Sequence, residues 1–124
     1  MLVKDTKNQQ RQLALLLQYA ARLGSVNYAA LTAGETDELA DLTFSASRLL
    51  LDKEETVRLT ELVQKCVRLP GYSSRQAAAW LGLSVRAIAN AVGEKRIEAL
   101  KPGHDLVIPH EQLEQYHQER RYSL

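Results

Sequence analysis

The chain of 124 residues has one cysteine, Cys66, which rules out an intrachain disulfide and a multi-thiolate metal cluster. Aromatic residues make up only 6% of it, and there are three prolines to interrupt helices. No apolar run approaches the ~20 residues of a membrane-spanning helix. The opening segment MLVKDTKNQQRQ lacks the apolar centre of a secretion signal. A cytoplasmic protein with no membrane partner is therefore expected. Charge of one sign is also lacking: sixteen Lys and Arg against fifteen Asp and Glu give a formal net charge of +1, so no bulk polycation is available for indiscriminate nucleic-acid binding. No glycine-rich phosphate loop and no Ser–His–Asp combination can be assembled. Cys66 falls on an apolar helical stripe and reads as a packed thiol rather than a nucleophile. The expectation is a protein that is not an enzyme and carries no cofactor.

What is present is helical periodicity, and one stretch organises it: Ser73 to Val92, SSRQAAAWLGLSVRAIANAV. Ser73 and Gln76 have the spacing of a capping box. Ala77, Ala78 and Leu81 supply an inward face, and Gly82 stands where a helix must stop and the chain turn sharply. Ser84 caps a second helix with Val85, Ile88 and Val92 at spacings of three and four. A small residue, then Gly, then a bulky aliphatic at these intervals is the pattern of a helix-turn-helix. Gly93 is expected to end the second helix. Ile97–Lys101 then alternates like a short strand, Pro102–Asp105 is a turn, and Leu106–Ile108 is a second strand. Pro109 should start a closing helix with Leu113 and Tyr116 inward.

The segments YSSRQAAAWLGLS, LKPGHDLVIP and EQLEQY, in that order, resemble the excisionase and MerR-like family of small DNA-binding domains, over about residues 72–120. The resemblance implies a winged helix-turn-helix. The fold class expected is thus mainly α: an N-terminal helical bundle over residues 1–70, for dimerisation or partner binding, then a winged helix-turn-helix with a small two-stranded wing over residues 71–124.

In the N-terminal region a helix is expected from Asp5 or Thr6 to Leu23, ended by Gly24. Its apolar residues cover well over half its circumference, more than one core requires. Thr36 should cap a second helix with Leu39, Leu42, Ala46, Leu49 and Leu50 as its stripe, and with Phe44 and Leu51 on a smaller one. Asp52, with Glu55 three residues later, should cap a third helix running to about Leu69. The surplus of apolar surface suggests a homodimer or other protein contact through Leu15, Tyr19, Phe44 and Leu51.

Charge is distributed unevenly. Residues 1–70 balance, whereas the span Ser73–Lys101 carries Arg75, Arg86, Lys95, Arg96 and Lys101 against Glu94 and Glu98. Such a local basic excess is the footprint of a phosphate-facing surface. The second helix of the hairpin, residues 84–92, is expected in the major groove. Arg86 and Asn90 are the base-reading candidates, because Arg matches guanine O6/N7 and Asn matches adenine N6/N7 with paired bonds. Ser84, Arg75, Lys95, Arg96, Lys101 and His104 are candidates for the DNA backbone. The family usually carries basic residues at the wing tip, whereas this chain has His104 followed by Asp105, an unfavourable charge beside phosphate. His110, Glu114 and His117 have a spacing that could hold a metal, but a solvated helical face is the expectation.

The function expected is a sequence-specific regulator of transcription that binds double-stranded DNA, a repressor of phage or mobile-element type. Three alternatives are an antitoxin that covers a toxin with residues 1–70, an excisionase-like DNA-bending factor, and a helical interaction adaptor.

Overall fold

The computed structural model describes residues 5–122. Its first helix, α1 (Thr6–Arg22), begins at Asp5, whose carboxylate accepts the Asn8 N–H at 3.1 Å, and Gly24 leaves it with φ +68°. A 3-10 turn (Tyr28–Ala30) leads to α2 (Ala33–Ser47) and α3 (Lys53–Cys66). There follow β1 (Gly71–Tyr72), α4 (Ser74–Leu81), α5 (Val85–Gly93), β2 (Ile108–Pro109) and α6 (His110–Tyr122). Among the described residues the protein is mainly helical, with one two-stranded antiparallel sheet.

The caps explain most of the helix starts. Ser73–Gln76 and Asp52–Glu55 both form reciprocal capping boxes, each satisfying two backbone donors that would otherwise be orphaned. The start of α2 differs from expectation. Thr32, not Thr36, is its N-cap, in a box with Glu35, while Thr36 lies inside the first turn with its hydroxyl on the Thr32 carbonyl. Glu35 also receives Lys65 Nζ from α3 at 2.6 Å, and this bond is the main reason its carboxyl titrates below the usual range. Arg58 grips Glu38 with two bonds of 2.9 Å, so the α3-facing carboxylates of α2 are paired.

Helix α2 also ends earlier than its apolar stripe suggests. The chain leaves it at Leu49 with φ +58°, and Leu50 N–H bonds back to the Ser45 carbonyl. Leu50 is consequently exposed. Leu51 turns inward, where Gln10 of α1 holds both its backbone groups: Gln10 Nε2 donates to Leu51 O and Gln10 Oε1 accepts the Leu51 N–H, each at 2.8 Å. α3 closes at Cys66 rather than Leu69, although Leu69 still packs in the core.

One continuous core runs from Leu13 and Leu16 of α1 through Leu59, Leu62 and Val63 of α3 to Trp80, Ile88, Ile108 and Leu113. The division at residues 70/71 is therefore not a gap in packing. Trp80 lies at the joint, with Nε1 donating to Val67 O at 3.2 Å. The Tyr72 hydroxyl accepts the Leu69 N–H at 3.0 Å and meets His110 Nδ1 at 2.8 Å. His110 and His117 both stand edge-on to Trp80, with centroids 5.5 and 5.9 Å away. His110 Nε2 lies 3.1 Å from Glu114 Oε1 without the alignment of a hydrogen bond. The side of α6 expected to be solvated thus packs on α4, and its histidines act as ring contacts.

The sheet is not the expected one. β1 pairs with β2, Tyr72 opposite Ile108 and Gly71 opposite Pro109, because Tyr72 and Ile108 are both fully buried. Pro109, lacking an N–H, occupies the end of this ladder instead of the first turn of α6. Ile97–Lys101 is not a strand. α5 ends at Gly93 as expected; the chain then turns at Lys95 (φ +61°), and the N–H groups of Arg96 and Ile97 bond back to the Ala91 carbonyl. Ile97 is thereby pulled into the core, and only Leu100 extends, exchanging two 2.8 Å bonds with Val107.

Candidate nucleic-acid interface

The hairpin α4–α5 presents a buried side and an open side. Gly82 adopts φ +72°, ψ +32°, and the following Leu83 N–H returns to the Ala78 carbonyl at 3.0 Å, ending α4 within one residue. Ser84 then caps α5, its Oγ accepting the Ala87 N–H at 3.1 Å. Ala77, Ala78 and Ala79 are buried on α4, and Ile88 and Ala91 on α5. Small side chains at the crossing let the helices approach closely. Ala91 takes the inward place expected of Val85. Val85 is largely exposed and Val92 half-buried.

On the open side of α5, Arg86 and Asn90 stand four residues apart on one face, with Ala89 beside them, and all three are exposed. The side chains of Arg86 and Asn90 form no hydrogen bond or ion pair with another described residue. Their donors are free for an external acceptor. Ser84 lies at the tip of the same helix, exposed, with its oxygen occupied by the cap but its hydroxyl proton free to be donated.

The remaining candidate cations are spread around this helix. Lys95 is exposed at the left-handed residue just beyond α5. Arg96 is less free than expected, lying 3.4 Å from Glu94 and over the Tyr116 ring at 5.9 Å. Lys101, His104 and Asp105 are exposed in the loop between Leu100 and Val107. Arg75 lies on the first turn of α4, on a depression of about 240 Å³ shared with Gln12, Tyr19 and Arg22 of α1. Arg22, exposed at the end of α1, thus comes beside Arg75, a juxtaposition that periodicity within one helix cannot reveal.

Of the candidate protein-contact residues, Leu15, Tyr19 and Phe44 are 51%, 40% and 64% exposed. Leu51 is not among them: it is buried, held by the Gln10 clamp. Compared with protein-family models, curated proteins and solved structures, the chain matches none of them.

Proposed function

We propose that this chain is a sequence-specific regulator of transcription, a repressor, that binds double-stranded DNA. On this reading α4, Gly82 and α5 form a helix-turn-helix, residues 84–92 enter the major groove, and residues 95–108 are a reduced wing. The observation that carries it is α5 itself. One of its faces is locked on α4 by Ile88 and Ala91, while the other offers an unpaired Arg86 and Asn90 one turn apart. That pair has the donors and acceptors to read guanine and adenine edges. Lys95 and Lys101, both exposed beyond α5, supply phosphate contacts, and Arg75 supplies another from α4. Asp105 limits what the wing adds. The order of segments shared with excisionase and MerR-like domains supports the same assignment.

Arg86→Ala should cost ~1–3 kcal/mol on the preferred sequence and little on random DNA, whereas Lys101→Ala should weaken binding to all sequences and lower the salt slope by about one phosphate contact. Equal losses on preferred and random duplex from Arg86→Ala would remove it as a base reader. The exposed Leu15, Tyr19 and Phe44 support a protein contact through α1 and α2.

A further inference from the structure

The outward faces of α1 and α2 are apolar in the middle and carry opposite charges. On α1, Arg11, Leu15 and Arg22 share one exposed face, with Tyr19 beside it, and no carboxylate lies within the helix. On α2, Asp37, Asp41 and Phe44 share the exposed face, at spacings of four and three, with Arg48 lying over the Phe44 ring at 5.7 Å. Glu35 and Glu38, the other acids of α2, are already bound to Lys65 and Arg58 of α3. Arg11, Arg22, Asp37 and Asp41 have no ion-pair partner among the described residues.

The two faces are neighbours. A groove of about 420 Å³ runs between them, with Gln18 and Ala21 on its α1 wall, Ala40 and Phe44 on its α2 wall, and Tyr28 against it. Basic and acidic flanks that both adjoin exposed apolar residues are self-complementary across a two-fold axis, where a contact of one patch with a second is repeated in reverse.

The geometry points to a second copy of this chain as the occupant of this surface. α1 of one copy lies along α2 of the other, with Leu15 and Tyr19 on the partner's Phe44 and the α1 arginines on the partner's α2 aspartates. Pairing α1 with α1 would oppose arginines, and pairing α2 with α2, where Arg48 shares the face with Asp37 and Asp41, would leave the α1 arginines unpartnered, so the crossed arrangement is the one that gives the α1 charges partners. The inference rests on the protein-contact role proposed for α1 and α2, and not on DNA binding.

The test uses the full chain without DNA, so a failure to bind DNA leaves it untouched. One variant, Arg11→Asp/Arg22→Asp, makes both faces acidic, and another, Asp37→Arg/Asp41→Arg, makes both basic. In analytical ultracentrifugation the wild type should be a dimer at micromolar concentration. Each variant alone should dimerise roughly tenfold or more weakly, from like-charge opposition. An equimolar mixture of the two should form a heterodimer of wild-type strength, because every acidic face then meets a basic one. A monomeric wild type would overturn the inference. So would undiminished dimerisation of Asp37→Arg/Asp41→Arg, or a mixture that stays monomeric. If either variant loses helicity alone, the quadruple variant decides, since it restores complementarity within one chain. A dimer then supports the crossed contact and a monomer overturns it.

Discussion

Replacing Gln10 by leucine should be among the most damaging single changes in the chain, although it exchanges a polar residue for an apolar one of similar volume in a core. Gln10 is almost fully buried, and its carboxamide is the partner of both backbone groups of Leu51, at 2.8 Å each. Leucine fills the space but leaves a buried N–H and a buried carbonyl without partners. Each such group costs ~1–3 kcal/mol, so the expected loss is ~2–6 kcal/mol. Against a typical total of ~5–15 kcal/mol for a domain, that is a large fraction. The neighbouring Gln9→Leu is the control. Gln9 donates a single 3.2 Å bond to Ala79 O, a carbonyl that also receives the Gly82 N–H, so its loss should stay within ~1 kcal/mol. Urea unfolding of both variants beside the wild type measures this as a shift in midpoint at constant slope. If Gln10→Leu lost no more than Gln9→Leu, the Leu51 backbone would have to find other partners, and the clamp would not hold the α2–α3 connection.

Other consequences follow from the same contacts. A Cβ at Gly71 would lie 2.5 Å from Val107 Cγ1, so Gly71→Ala should destabilise by ~1–3 kcal/mol and Val107→Ala should relieve it, read by a double-mutant cycle in thermal unfolding. Burial pushes the Cys66 thiol up to about 11 and the Tyr72 hydroxyl up to about 12, from 9.0 and 10.0. The unfolded chain therefore loses these protons first, so their contribution to stability is whole below pH 9.0 and falls as pH rises through these values. Tyr72→Phe should flatten the decline between 10.0 and about 12, and an unchanged slope would refute the assignment. Lys95→Gly should raise stability by ~1 kcal/mol, since the native φ of +61° is strained for lysine, yet weaken DNA binding by removing a cation. Equal DNA affinity would detach Lys95 from the interface.

Local signals read well from the sequence at most boundaries that a side chain announces; the exception is α2, where the Thr32–Glu35 box and not Thr36 marks the start. Asp5, Asp52, Ser73 and Ser84 cap the helices expected of them, and Gly24 and Gly82 take the left-handed turns. Boundaries without such a signal were misplaced. The left-handed step at Leu49 is taken by a residue that rarely adopts it, so α2 ends before its apolar stripe does; α5 does end at Gly93, but no glycine announces the turn at Lys95 that follows. Long-range pairing was illegible for a different reason. Alternation in Ile97–Lys101 suggested a strand, but the Ala91 carbonyl and the core claimed Ile97, and Tyr72, some 35 residues away, took Ile108. Of the candidate site, the exposure of Arg86 and Asn90 followed from periodicity. The burial of Leu51 did not, because it depends on Gln10, a polar residue that composition places outside the core.

The central claim is that the open face of α5 reads bases, and selection of bound sequences from a random duplex pool at near-physiological salt tests it directly. The account predicts enrichment of one motif arranged as an inverted repeat, with the preference relaxed at one position per half-site by Arg86→Ala. Binding that enriches nothing and disappears with modest salt would contradict it.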